Sequence, residues 1–436
     1  MTCQLVNIFY RLGRFSNHAL PPQNEPANAL RTMPFFLLRL KKYIFWHLIA
    51  LFAVAKPLHS QQLPHPDSVE MLLTNIAIQI ECTQAINNMY NFKFGQAESI
   101  FQWLRRTYPH HPLPYFLMGL SQWWKIMPNP DNTRYDERFL AYMDSAIDRA
   151  EKIFDKGKPK QKIEAAFFLA AAWGFKGRLY SDRRQWAKAT LAGKRAIHYM
   201  EYASDKNDLS PELLFGDGLY NYYSIWVPEN YPMLKPVLWF FKKGDKALGI
   251  KQLEQVVADA FYAKTEAMNF LMRIYSDENM PEKAFETAKY LHKTFPDNPY
   301  FHRYYARLLY QYGQFYELES VAKSILEKID SGMPGYEEVS GRYASFYLAH
   351  LYRVGYRDAE KAKYYYQRTV EFSEKIQAYD AGYYLFALSE LAQMAHGEKN
   401  ILLAKQYYEK IVQHADKDHP TYKEAKEYLK KHRKVK

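Results

Sequence analysis

Cysteine is almost missing from this sequence: Cys3 and Cys82 are the only two in 436 residues. If residues 1–60 are a removable leader, Cys82 stands alone. No disulfide framework then supports the fold, and an unpaired thiol in an exported chain is more often buried than reactive. Glycine is sparse at 18 residues, and strand-like alternation is hard to find, so both point to an all-α chain. No zincin HExxH, P-loop, GxSxG elbow or CxxC pair is present. Gly216-x-Gly218 is a fragment of a dinucleotide fingerprint without the βαβ context it needs, and it reads as a site of close helix packing. His110-His111 lie between two prolines and read as solvated loop, since adjacent histidines are poor joint ligands for one metal. The sequence therefore offers no catalytic, cofactor-binding or metal residues, and no enzyme is expected.

What is present is apolar and aromatic. Hydrophobic residues make up 48% and aromatics 17%, which excludes wholesale disorder. As one globule a chain of 436 residues would exceed the usual domain size. A solenoid removes that difficulty, because each repeat needs only its neighbours. Tyrosine is abundant at 38, and most of these rings are expected to fill space between repeats.

The N-terminus reads as a targeting segment. Arg39, Lys41 and Lys42 precede an apolar run from Ile44 to Ala55, followed by small residues up to Ser60. That is the layout of a secretory signal peptide over 33–60, and the run is shorter than the roughly 20 residues of a membrane span. Met33 sits where a natural start would fall, so residues 1–32 read as a misassigned extension. An uncleaved anchor is the alternative. No cysteine adjoins the cleavage site to carry a lipid, so a soluble secreted or periplasmic protein is expected. Seven of the 59 bases and one of the 47 acids lie in residues 1–60. The remainder, 52 against 46, carries +6 where the whole chain carries +12, which gives little support for a nucleic-acid partner.

After a short linker at Gln61–Ser68 the pattern is helical. Trp173, Gly177 and Tyr180 share one helical stripe, a polar break follows at Ser181–Arg184, and Ala189 and Ala196 lie on one face of a second helix. Ala97, Phe101, Leu104 and Pro109 form a skeleton that recurs as Ala284, Ala288, Leu291, Pro296 and as Ala404, Tyr408, Ile411, Asp416. With Ala97 taken as the small residue of a second helix, a 34-residue repeat places the small residue of the next repeat's first helix at Gly119, with Tyr115 four residues before it. These residues resemble tetratricopeptide repeats. The resemblance implies an all-α, right-handed superhelical solenoid of antiparallel helix pairs, with repeats over 61–210 and 254–436 and a polar capping helix at the end. Lys176 and Gly193 stand where that pattern has large apolar residues, and Met127–Asn132 and Gly332–Gly335 interrupt it.

Residues 211–253 read as an irregular insertion rich in proline and aromatics. Gly216-Asp217-Gly218-Leu219-Tyr220, Val227-Pro228, Gly244-Asp245-Lys246 and Gly249-Ile250 with Leu253 resemble the inclusion-body-clearance (Iml-type) tetratricopeptide family, which implies a protein- or lipid-associated scaffold and no reaction. In tetratricopeptide arrays the first helix of each repeat lines the concave side. Carried onto this chain, that implies partner contacts from Phe116 and Trp123 near the N-terminal end. Further along, it implies contacts from Arg178, Arg273, Arg303, Arg307 and Tyr310.

Arginine interleaved with tyrosine suits acidic-peptide recognition through forked hydrogen bonds; the plain alternative is a solvated charged face. The leading expectation is a non-enzymatic scaffold of the cell envelope, binding a partner protein or an extended acidic peptide. A glycan-binding module of an envelope nutrient-uptake system is the second, with Trp123, Trp124, Trp226 and Trp239 as stacking surface.

Overall fold

Helix hairpins succeed one another from residue 76 to residue 431. The computed structural model describes residues 71–232, 235 and 242–433. Residues 1–32, the leader at 33–60, the linker at 61–68 and Trp239 lie outside the described residues. Seventeen α-helices and no strand occur among the described residues. The N-terminal pairs are α1 (Ile76–Tyr90) with α2 (Phe94–Thr107), α3 (Pro112–Ile126) with α4 (Asp136–Lys156), and α5 (Pro159–Asp182) with α6 (Trp186–Ala203). The middle pairs are α7 (Leu214–Asn230) with α8 (Lys246–Asp259), α9 (Lys264–Asp277) with α10 (Pro281–Thr294), and α11 (Pro299–Gln311) with α12 (Phe315–Asp330). Then come α13 (Glu338–His350) with α14 (Ala359–Lys375), α15 (Gly382–Gly397) with α16 (Ile401–His414), and a last single helix α17 (Pro420–Lys431). Neighbouring helices pack in sequence, so the chain is an all-α solenoid of helix pairs.

The apolar skeleton read from the sequence is the core. Ala97, Phe101, Leu104, Ala284, Ala288, Leu291, Ala404, Tyr408 and Ile411 are all buried. Gly119 lets α3 press against α4, since a Cβ there would stand 2.7 Å from the Met143 side chain. At Gly177 the facing residues are Ala192, Ala189 and Gly193, so α6 presents Ala192 beside Ala189 where the spacing had pointed to Ala196. Lys176 enters the core by ion-pairing with Asp144 and lying 4.6 Å from the Trp173 ring. Cys82 is fully buried, and burial pushes its thiol up to about 12, so it stays protonated.

Five hairpins share one turn. Phe92, Arg184, Asn279, Gly313 and Lys399 hold φ between 55° and 68°. The following N–H then donates to a carbonyl five residues back at 2.7–2.8 Å, as from Lys93 to Asn88 and from Gln314 to Leu309. This left-handed closure satisfies helix-end carbonyls and reverses the chain within three residues. Only Gly313 among the five is a glycine, which is why the turn is hard to read from composition.

Residues 211–253 are more regular than their composition implies. Residues 214–230 form helix α7, with Pro228 tolerated in its last turn, and residues 246–259 form α8. Gly218 and Gly249 face each other across this pair, so the glycines that looked like irregularity are what bring two helices together. His111 is likewise corrected: it is buried, caps α3 by accepting from Leu113 N at 3.1 Å, and lies 3.5 Å from Glu164.

Contacts also reach far beyond the neighbouring repeat. Asn298 Nδ2 donates to Tyr90 O at 2.8 Å, and Asp297 N donates to Asn91 Oδ1 at 2.8 Å. Trp124 meets Phe301 with ring centroids 5.1 Å apart, and Tyr90 meets Phe295 at 5.4 Å. The first two hairpins therefore close onto α10, α11 and the loop between them, and the expectation that each repeat touches only its neighbours fails. The physical reason is apolar: Tyr90 and Trp124 are too large to leave on an open concave wall, and burying them requires a second wall.

Beside this closure His292 stacks on His302 at 4.4 Å, and His302 Nδ1 lies 2.9 Å from the Tyr336 hydroxyl. Burial, with Lys328 nearby, lowers His292 from 6.5 to about 4 and also lowers His302. A base whose folded pKa is depressed takes its proton first in the unfolded chain, so stability is lost as pH falls from 6.5 towards 4. The contribution of His292 is on the order of 3 kcal/mol. Denaturant titrations across that range should show a shallower loss for His292→Asn than for the parent; parallel slopes would contradict the assignment.

Candidate functional site

The first helices of three pairs, α5, α9 and α11, carry arginines that lie near one another. Arg178 on α5 is half-buried, donates from Nη2 to Met127 Sδ at 3.8 Å, and places its guanidinium carbon 4.8 Å from the Trp123 ring. Arg273 on α9 is close enough to Arg178 for the two charges to oppose each other. On α11, Arg303 donates from Nη1 to Pro128 O at 3.1 Å and to Ser340 Oγ at 2.9 Å, while Arg307 lies 4.7 Å over the Tyr304 ring. All four side chains are half-buried, and all four are felt by a shared set of tyrosines.

Electrostatics agree with groups partly withdrawn from water. Burial lowers Arg178, and the charge of Arg273 lowers it further. Burial also works against Arg273 and Arg307, but Tyr300, Tyr223 and Asp277 around the first, and Tyr304, Tyr347 and Tyr343 around the second, more than offset it. Arg303 ends below its ordinary value through burial, with Arg342 adding to the effect. Tyrosine is neutral at pH 7, so the compensating anions near these cations are carboxylates. Asp182 is pushed up to about 6 by burial, against the pull of Arg178 and Arg183. Asp277 is raised by burial in the same way, and Glu266, raised by burial, feels Arg178.

Phe116, Trp123 and Tyr310 need correction. Trp123 is 1% exposed and wedged against Phe175 and Phe139 at 5.4 and 5.7 Å. Phe116 is buried against Phe168 and Phe175, and Tyr310 is stacked on Tyr347 at 4.6 Å. All three are core rings, and of them Trp123 lies beneath Arg178. The four arginines stay half-buried, since full burial of a guanidinium is far more costly than burial of a ring. Trp124 and Trp226 are buried as well, which removes them from any sugar-stacking surface.

Several residues of this face escaped the sequence reading. Asp182 and Asp277 lie at the ends of α5 and α9, one turn beyond the arginines they compensate. Arg342, Tyr343 and Tyr383 lie past the Gly332–Gly335 interruption, where counting from the earlier repeats loses its register. Among the described residues no group of three or more His, Cys, Asp or Glu side chains is placed to hold a metal ion. No described helix is long and apolar enough to cross a membrane.

The molecule is thus a helical-repeat solenoid with a cationic, tyrosine-rich face. No protein-family model matches the chain, and no curated protein matches it. Among solved structures it is similar to the P58(IPK) TPR domain, at 14% identity over 82% of this chain and 99% of that one, with a TM-score of 0.24. It is also similar to yeast Tom70, at 11% identity over 82% of this chain and 96% of that one, with a TM-score of 0.26. At that level of likeness the fold rests on the helix pairs themselves.

Proposed function

We propose that this chain is a non-enzymatic scaffold of the cell envelope that holds an extended acidic segment of a partner protein against its inner face. The observation that carries the proposal is the gathering of Arg178, Arg273, Arg303 and Arg307 from the first helices α5, α9 and α11 among shared tyrosines. Guanidinium forks pair with carboxylates in two parallel hydrogen bonds, and flanking rings hold the forks flat. The envelope location rests on the reading of residues 33–60 as a leader, and the likeness of Gly216–Leu253 to inclusion-body-clearance repeats favours a scaffold. Burial of Trp123, Trp124 and Trp226 weighs against the glycan-binding alternative.

The test is binding of fluorescent Asp/Glu-rich peptides and capture of partners from envelope extracts. Arg273→Glu with Arg307→Glu should weaken peptide binding by about tenfold for each charge-assisted hydrogen bond removed, and raised salt should weaken it further. Unchanged binding by a double variant with an unchanged melting curve would remove the proposal.

A further inference from the structure

At the α11–α13 end of this face two cations, Arg303 and Arg342, form no ion pair with any described residue. Arg342 is 8% exposed, and its Nε is buried without a hydrogen-bond partner. No ion pair joins it to another described residue, Glu338 one turn earlier included. Arg303, on the neighbouring first helix, bonds only to neutral oxygens, those of Pro128 and Ser340. Both guanidinium carbons stand over the same ring, Tyr343, at 5.7 Å for Arg303 and 5.2 Å for Arg342. The charge of Arg342 opposes that of Arg303, so the two are near enough to repel. Glu337, the carboxylate that reaches Arg303, is itself pushed towards its neutral form by burial and accepts from Asn129 at 3.4 Å.

A buried guanidinium without a partner is a costly arrangement, and native proteins pair or hydrogen-bond such groups. Arg342, buried with its Nε unpartnered, and the half-buried Arg303 converge on one ring and leave a double positive charge with unused, forked N–H donors. A carboxylate offers one charge and two oxygens. A phosphate monoester offers close to two charges and three acceptor oxygens, which matches both the charge and the donor number.

We propose that Arg303 and Arg342, set over Tyr343, form a discrete oxyanion site for a phosphate monoester, such as a phosphorylated side chain of the partner segment. The inference rests on the inner face being the binding face, and it adds a phosphate requirement at one place on it.

The experiment uses the full chain and needs no partner. Calorimetric titration with phenyl phosphate should show one site, with benzoate, the carboxylate on the same ring, bound about tenfold more weakly or worse. Arg342→Gln should weaken phenyl phosphate by about tenfold, the size of one charge-assisted bond. Arg342→Lys should not restore it, because the charge returns without the fork. Arg368→Gln, which removes an arginine paired with Asp330 at 3.0 Å elsewhere, should bind as the parent does. If Arg342→Gln does not fold, Arg303→Gln carries the same expectation. Absence of phenyl phosphate binding, equal or tighter benzoate binding, or binding indifferent to both variants would each overturn the site. Loss of acidic-peptide binding with phenyl phosphate binding intact would count against the scaffold proposal and leave this one standing.

Discussion

Replacing Glu212 by Ala is expected to destabilise the protein by about 3–5 kcal/mol, the loss associated with stripping a buried charged group from its partners. Glu212 is 1% exposed and sits in the short 3₁₀ turn Pro211–Leu213 before α7. Its Oε1 accepts from Phe261 N at 2.7 Å and Tyr262 N at 2.8 Å, and its Oε2 accepts from Ala263 N at 2.8 Å. Those three donors lie in the turn that leads into α9, roughly fifty residues away, where helix-start N–H groups have no carbonyl of their own. Burial raises the carboxyl and the three N–H bonds offset part of that rise, so the site is built around an acceptor. Alanine leaves all three donors unanswered in the interior. Glutamine keeps the oxygen that serves Phe261 and Tyr262 but turns an NH₂ towards Ala263, so Glu212→Gln should lose about 1–3 kcal/mol, the cost of one unsatisfied donor. Urea titration should rank the parent above Gln and Gln above Ala. An alanine variant within about 1 kcal/mol of the parent, the range of an ordinary surface change, would mean that water answers these donors and that Glu212 is not a tie.

Gly249→Ala should cost about 3 kcal/mol, at the upper end for overpacking. A Cβ there would stand 2.7 Å from Gly218 O and 2.7 Å from Tyr222 N, both backbone atoms that no rotamer change can move aside. Gly218 shows the reciprocal crowding, with Leu253 Cγ at 2.8 Å and Gly249 O at 3.2 Å from the missing Cβ. The pair α7–α8 can therefore relax only by parting, which would uncover Tyr222 and Leu253, both fully buried. Gly174 on α5 supplies the contrast, since nothing stands within 4 Å of a Cβ placed there. Gly174→Ala should gain about 0.5–1 kcal/mol from helix propensity alone. Equal melting temperatures for the two variants would show that the α7–α8 approach is looser than these distances imply.

Glu212 and Gly249 also mark the boundary between what local pattern encodes and what it does not. Ala97, Phe101 and Leu104, with their recurrences at Ala284 and Ala404, are legible because a helix repeats every 3.6 residues and a small residue between helices leaves a periodic trace. Gly119 and the stripe through Gly177 are legible in the same way. Arg178, Arg273, Arg303 and Arg307 fall on one side because the repeat register fixes which way a first helix points its residues. Phe116, Trp123 and Tyr310 share that register yet lie buried, because register gives direction and not depth.

By itself, then, the sequence determined an all-α chain of helix pairs, the identity of the packed stripe, and the side on which the arginines fall. Those properties depend on neighbours three, four or about thirty-four residues apart. Only the tertiary structure decided that the first hairpins close onto α10 and α11, through bonds such as Asn298 to Tyr90 across 208 residues. It alone decided that Glu212 ties one turn to another, and that Arg342 is left buried beside Arg303. Such contacts join positions with no shared period, and each is fixed by how far the whole solenoid curls before its large aromatic side chains meet.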